Sequence, residues 1–235
     1  MWESTVDGRV LHFHLAGINN QNFIMRDEET GSWWQQVSGK AIYGPLKGHQ
    51  LKSVFHDESS FAIWKREQPQ GRVLRPAERI ATANKYEAAD WETRVGRMRV
   101  VKETDVDQRL APRTLVIGVT SDGKSVAYPL SALQKQSPII DVVGATPTVL
   151  VLGDDRRSVR AFERTVDGRR LEFFQKTDGD GFQLVDAETG STWNFEGKAT
   201  AGPLTGRQLK KVFVLEDYWF DWRLYHPDTR LYDLQ

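Results

Sequence analysis

The chain contains no cysteine. That absence excludes disulfides, thiolate metal sites and cysteine nucleophiles, and it leaves the compartment open because an oxidising environment does not require disulfides. There is no apolar run of the length that crosses a bilayer, and the opening residues MWESTVDGR lack the basic and apolar regions of a signal peptide. The expectation is a soluble chain without a transmembrane segment, cytoplasmic by default and extracytoplasmic if a signal precedes the sequence. Charge of one sign is also missing. Thirty-two basic residues balance thirty-two acidic ones, so no overall field draws phosphate backbones or an anionic membrane, and a nucleic-acid partner is disfavoured. Walker, dinucleotide-binding, zinc-protease and Gly-x-Ser-x-Gly motifs are absent, which removes the easily read enzyme classes, and no cofactor is expected.

What is present is enough apolar material to fold. The 235 residues include eight Trp and eleven Phe at 39% hydrophobic content, which suits one large or two ordinary domains with real cores. The sequence also repeats itself. Thr5-Val6-Asp7-Gly8-Arg9 returns as Thr165-Val166-Asp167-Gly168-Arg169, and Leu11 and Phe13 return in step as Leu171 and Phe173. After a one-residue slip, Asp27, Thr30, Gly31, Ser32 and Trp34 match Asp186, Thr189, Gly190, Ser191 and Trp193. A second slip aligns GKAIYGPLKGHQLKSVF from Gly39 with GKATAGPLTGRQLKKVF from Gly197, and Trp64 and Pro69 with Trp222 and Pro227. Two single gaps over about seventy positions point to duplication rather than chance.

Within each copy the pattern is that of strands and turns. Asp-Gly suits a hairpin turn because Gly accepts positive φ, and Leu11, Phe13 and Leu15 alternate with His12 and His14 as in a half-buried strand. Further strands are expected at Phe23–Arg26, Trp33–Val37 and Leu51–Phe55, and short helices at Ser59–Glu67 and Asp217–Tyr225, capped by Ser or Asp and stopped by proline. Trp34, Trp64, Trp193 and Trp222 are the expected structural anchors. Between the copies, Ala88, Trp91, Val95 and Met98 fall at helical spacing and predict an amphipathic helix over Lys85–Arg99. Beyond it, TLVIGVTSDGKSVAYPL, SALQ, IIDVVGATPTVLVL and SVRAFER predict about five strands and one helical turn that the first copy lacks. The expected architecture is mainly β, with antiparallel sheets and a few short α-helices. It divides as a half-unit over 1–76, a helical linker over 77–104 and a complete unit over 105–235.

The segments DQRLAPRTLVIGV, DGKSVAYPLSAL, DVVGATP, TVDGRRLEF, DAETGSTW, GPLTGRQL and WRLYHPDTRL resemble, in this order, a bacterial family known as domain of unknown function 3179. The resemblance covers Asp107–Leu234 as a whole unit and Met1–Arg75 as the back half of another. It implies a Cys pair in a Cys-Pro-Leu-Cys-Gly-like segment and an upstream His, groups suited to a soft metal or thiol chemistry. This chain has Leu152-Gly153-Asp154-Asp155-Arg156-Arg157 at the first position and Gln134-Lys135-Gln136-Ser137 at the second. The first copy keeps the family's Met25, Asp27, Thr30, Gly31, Ser32, Trp34 and Gln36, whereas the second has Leu184 and Phe195 for Met25 and Gln36.

Four groups of residues are candidates for chemistry. His12 and His14 are spaced for one strand face, and Met25 on a nearby strand would add a soft metal ligand; the alternative is that both histidines are simply exposed, since their counterparts are Glu172 and Phe174. Asp27 and Asp186, with Glu28, Glu29 and Glu188, offer carboxylates for acid–base work or, more ordinarily, acceptors for turn amides. Asp27, Trp33 and Gln36 are the surface or pocket candidates, Trp33 as an aromatic platform. The segment TDGDGFQ has a calcium loop's composition without its acidic spacing and reads as a hairpin tip.

Two readings of function follow. The favoured one is a non-catalytic β-rich binding or structural module with an unknown protein or small-molecule partner. The other is a metal-binding or redox enzyme whose reactive residues precede Met1. A chain that begins inside a repeat leaves a strand edge to cover, either by the complete unit of the same chain or in a symmetric homodimer, so monomer and symmetric homodimer are both open.

Overall fold

The computed structural model describes residues 1–19, 22–74, 90–98, 100, 107–176 and 181–233. It is mainly β, built of antiparallel sheets, with one parallel pair between Arg230–Leu231 and Lys124–Pro129, and with four short helices among the described residues. Two compact units are formed by interleaved segments: Met1–His56 with Val100–Asp105, and Asp57–Arg99 with Val106–Gln235. The break at residue 57 falls earlier than the boundary near 76 expected from the repeat, and of the expected linker over 77–104 all but residues 90–98 and 100 lie outside the described residues.

In the first unit Thr5–Val6 (β1) and Arg9–Val10 (β2) pair across Asp7 and Gly8, both at positive φ as an Asp-Gly turn requires. Phe13–Asn19 (β3), Asn22–Asp27 (β4), Trp33–Gln35 (β5) and Lys40–Tyr43 (β6) then form a meander in chain order. Strand alternation sends Leu15, Met25, Trp34 and Ala41 to one face, where Val6, Leu11 and Leu51 complete a small core. His14, Arg26, Trp33 and Tyr43 share the opposite face. The expected Leu51–Phe55 strand is reduced to one bridge, Trp2 with Ser53.

The second unit opens with Phe61–Glu67 (α1), whose N-cap is Ser60 rather than Ser59. Trp91–Arg97 (α2) lies within the helix expected over Lys85–Arg99; Lys85–Ala89 fall outside the described residues. Leu115–Ser121 (β7) and Lys124–Pro129 (β8) form a hairpin that runs into Leu130–Lys135 (α3). Ile139–Val143 (β9), Thr146–Leu152 (β10) and Val159–Glu163 (β11) follow, then the hairpin Thr165–Val166 (β12) with Arg169–Arg170 (β13). Phe173–Gln175 (β14), Leu184–Asp186 (β15), Thr192–Trp193 (β16) and Ala199–Ala201 (β17) make a second meander; residues 177–180 of its expected hairpin tip lie outside the described residues. Lys210–Val212 (β18), Val214–Tyr218 (β19), Trp219–Tyr225 (α4) and Arg230–Leu231 (β20) complete the chain.

These strands stack in layers. The sheets β18-β11-β10-β9 and β19-β7-β8-β20 enclose a core of Ile117, Val119, Tyr128, Ile139, Leu150 and Leu152. Alternation along β10 turns Val149 and Val151 to its other face, so this strand is buried on both sides. There they meet Trp193, Phe173, Leu184 and Phe195 of the second meander and its flanks, and Ile63 of α1. On the outer face of β7 and β8, α4 lays Trp219 and Trp222 over Val116 and Ala127. Gly118 is required by this packing, because a Cβ there would overlap the Trp222 ring.

The two meanders correspond in detail. Phe13 opposes Asp27 as Phe173 opposes Asp186, and Leu15 opposes Met25 as Gln175 opposes Leu184. A Cβ on Gly39 would meet the Trp2 ring at 2.7 Å, and one on Gly197 the Phe162 ring at 2.6 Å. The helices do not correspond in setting. In α4 Trp219 and Trp222 are buried, but Phe61 of α1 is 62% exposed, Trp64 is only half-buried, and Ile63 between them is 1% exposed. Trp64 is therefore not the anchor expected from its match to Trp222. Nor does Asp217 cap α4: it lies in β19, and the cap position is Tyr218 without a side-chain hydrogen bond.

Candidate functional site

The two segments where the resemblance implies cysteines and a histidine lie together in the second unit. Gln134 on α3 donates from Nε2 to the Arg156 carbonyl at 3.2 Å, and the Arg156 guanidinium donates to the Gln134 carbonyl at 2.8 Å. The turn between β10 and β11 closes on itself: Gly153 N–H donates to Ser158 O at 2.8 Å and Arg156 N–H to Gly153 O at 2.9 Å. Asp155 stabilises it by accepting from the amides of Arg157 (3.1 Å) and Ser158 (2.9 Å) and from the Ser158 hydroxyl (2.6 Å). Burial alone would raise the Asp155 carboxyl, but the hydrogen bonds from Ser158 and Ser60 outweigh it and hold the group below its ordinary value.

The same turn grips α1. Ser60 N–H donates to Ser158 Oγ at 2.8 Å, and Arg66 forks onto both Asp154 oxygens at 2.7 and 3.1 Å, which lowers the Asp154 carboxyl. Beneath the helix, the nearly buried Arg160 donates to Glu67 at 2.7 and 2.8 Å and to Asp57 at 3.2 Å, with its guanidinium 4.6 Å from the Phe195 ring centroid. Lys211 adds a second cation to Asp57 at 2.6 Å. The arrangement is a clasp of ion pairs around one apolar plug, Ile63. Its residues were not found as a set in the sequence. The available signal was Ile63 itself, an apolar residue where the matching position of the second copy is Asp221.

A second cluster was also missed. Asp217 on β19 has its carboxyl pushed up to about 8 by burial, then by the charges of Asp221 and Glu58, against one opposing hydrogen bond from the Tyr218 amide. At neutral pH it is mostly protonated. The sequence signal was the pair of carboxylates four residues apart.

The candidates in the first unit do not converge. His12 is exposed and held by Glu29, whose oxygens take its ring nitrogen at 2.6 Å and its amide at 2.9 Å; this hydrogen bond and the Glu29 charge raise the imidazole above its ordinary value. His14 opposes Arg26 on the outer face, while Met25 opposes Trp34 on the core face, so the sheet itself separates His14 from the thioether. Among the described residues there is no group of three or more His, Cys, Asp or Glu able to hold a metal ion.

Asp27 is neither on the surface nor in a pocket. It is fully buried, and its oxygens accept from the Thr30 amide (2.6 Å), the Thr30 hydroxyl (2.8 Å) and Trp34 Nε1 (2.8 Å). Asp186 takes the same bonds from Thr189 and Trp193. Trp33 is partly exposed beside Tyr43, with ring centroids 6.3 Å apart, and Gln36 is exposed with its carbonyl accepting from Trp2 Nε1 at 2.6 Å. Trp34 and Trp193 are fully buried.

A mainly β protein of antiparallel sheets, with no described helix long and apolar enough to cross a membrane, is the class these observations define. The chain belongs to the family described as "Protein of unknown function (DUF3179)", whose model matches residues 1–229 continuously through both meanders. No curated protein and no solved structure matches it.

Proposed function

We propose that this chain is a non-catalytic β-rich module that acts by binding through its surface, as a monomer or symmetric homodimer and without nucleic acid. The observation that carries the reading is the employment of Gln134 and Leu152–Arg157. At the positions where the resemblance implies reactive cysteines and a histidine, Arg156, Asp154 and Asp155 are engaged in closing a turn and holding α1. Groups committed to such bonds are positioned for stability rather than for turnover. The balanced charge supports a partner other than a polyanion.

The test is elemental analysis of protein purified without an affinity tag. The expected result is no stoichiometric transition metal. One equivalent of copper or zinc, lost in a variant carrying His12→Ala and His14→Ala, would overturn the reading in favour of a metalloprotein.

A further inference from the structure

Three segments of the second unit meet around a cavity of about 440 Å³. Leu110 comes from the stretch that precedes β7, Pro129 and Ala132 from the passage of β8 into α3, and Leu231 from β20. Together they give it an apolar lining. Four polar side chains join them: Arg109, Ser131, Tyr232 and Asp233. The size and the mixture are those of a small-molecule site, in which apolar walls supply burial and a few polar groups fix orientation.

The fold does not consume these polar groups. Arg109 donates from Nε and Nη2 to Asp107 at 2.9 and 2.6 Å, but its Nη1 makes no hydrogen bond among the described residues. The same holds for the hydroxyls of Ser131 and Tyr232 and for the exposed Asp233 carboxylate. The Arg109 guanidinium is also fixed in place without a ligand. Asp107 grips one edge of it, and the centroid of the Trp219 ring lies 5.4 Å away. Arg223 reaches the same Asp107 carboxylate at 2.9 Å, and Trp219 Nε1 donates to the Asp107 carbonyl at 3.3 Å. The hydrogen bonds from Arg109 hold the Asp107 carboxyl down at about 2, so it is ionised at neutral pH. Two cations on one anion leave a surplus positive charge beside the cavity, and Asp233 supplies a separate negative charge. A ligand that satisfies both carries both signs, and an ordered cation receives a carboxylate with little reorganisation.

We infer that the second unit binds a free apolar amino acid in this cavity: Arg109 takes the carboxylate, Asp233 the ammonium, and Leu110, Pro129 and Leu231 the side chain. This names the class of ligand for the binding module proposed above and rests on that reading.

The experiment titrates phenylalanine into the isotopically labelled full chain and follows the amide resonances. Saturable shifts are expected at Ser131, Ala132 and Tyr232, with a dissociation constant of about 0.1–1 mM for a ligand of this size. Arg109→Gln and Ser131→Trp should each weaken binding at least about tenfold, the first by removing the cation and the second by filling the space. Ser131 is exposed, so Ser131→Trp leaves the core untouched, and unchanged circular dichroism and melting verify that it is folded. Phenylalaninamide, which lacks the carboxylate, and N-acetylphenylalanine, which lacks the ammonium, should each bind at least about tenfold more weakly than phenylalanine. The inference is overturned by no saturation at about 10 mM phenylalanine, by unchanged affinity in Ser131→Trp, which places the ligand elsewhere, or by equal affinity for either derivative. Stoichiometric metal would overturn the module reading whatever phenylalanine does; a failed titration without metal overturns only the amino-acid site.

Discussion

Replacing Ile63 by alanine isolates the contribution of α1 to the second unit. Ile63 is 1% exposed and sits in one cluster with Val149, Val151, Phe162 and Phe195. Removing a buried isoleucine to alanine costs about 2–5 kcal/mol, and the cost is larger where the surroundings cannot collapse into the space. Here collapse is opposed, because Arg66–Asp154, Arg160–Glu67 and Ser60–Ser158 fix the height of the helix above the sheet. The expected loss is therefore about 3–4 kcal/mol. Trp64→Ala should cost less than about 1.5 kcal/mol despite the larger side chain, since Trp64 is half-buried and stacks on the exposed Phe61. Trp222→Ala, which empties the space against Gly118, should cost about 3–5 kcal/mol. The assay is native-state hydrogen exchange of the β10 amides, which reports opening of the second unit even if the first unit unfolds separately. A loss below about 1 kcal/mol for Ile63→Ala, or equal losses for Trp64→Ala and Trp222→Ala, would refute the argument.

Asp217 supplies a pH test. Its folded value is raised from 3.8 to about 8, so between these limits the native state keeps a proton that the unfolded chain has released, and its contribution to stability falls as pH rises. Asp217→Asn should therefore gain on the wild type from about pH 4 to pH 8, by about 1–3 kcal/mol given partial burial. Urea unfolding at pH 4, 6 and 8 measures it, and a difference that does not grow with pH contradicts the assignment. Arg160→Met should cost about 3–5 kcal/mol by stranding Glu67, and adding Glu67→Met should recover much of that loss. Denaturant titration of the two single variants and the double variant gives the coupling; additive losses would show that the pair acts independently.

Local chemistry was well exposed in the sequence. Asp-Gly at 7–8, 122–123 and 167–168 marks turns because a left-handed backbone is cheap there, and all three carry positive φ. The strands Leu115–Ser121 through Val159–Glu163 were readable from their apolar runs and intervening turns. Tertiary partnership was less visible. Phe61 and Trp64 have the same spacing as Trp219 and Trp222, so the sequence makes α1 and α4 look alike, yet they bury different faces. Ile63 in place of Asp221 is the difference that sets which face α1 buries. The role of Asp27 was open for a similar reason: Asp before Thr-Gly serves a surface site or a turn equally well, and the indole of Trp34, seven residues on, decides it.

The placement of α1 has a consequence for the order in which the chain takes shape as it is synthesised. The first meander is complete by Tyr43 and can close early. The seven residues of α1 come soon after, but the cluster that receives Ile63 draws on residues as late as Leu209. A helix of two turns does not persist alone in water. At roughly 5–20 residues per second, the interval from Glu67 to Leu209 lasts roughly 7–30 s. Through that interval Ile63, Phe61 and Trp64 travel without their sheet, with Lys65 and Arg66 as the nearest charges to keep the segment in solution. Any product released before β10 is made therefore carries a finished meander and an apolar segment with nowhere to dock.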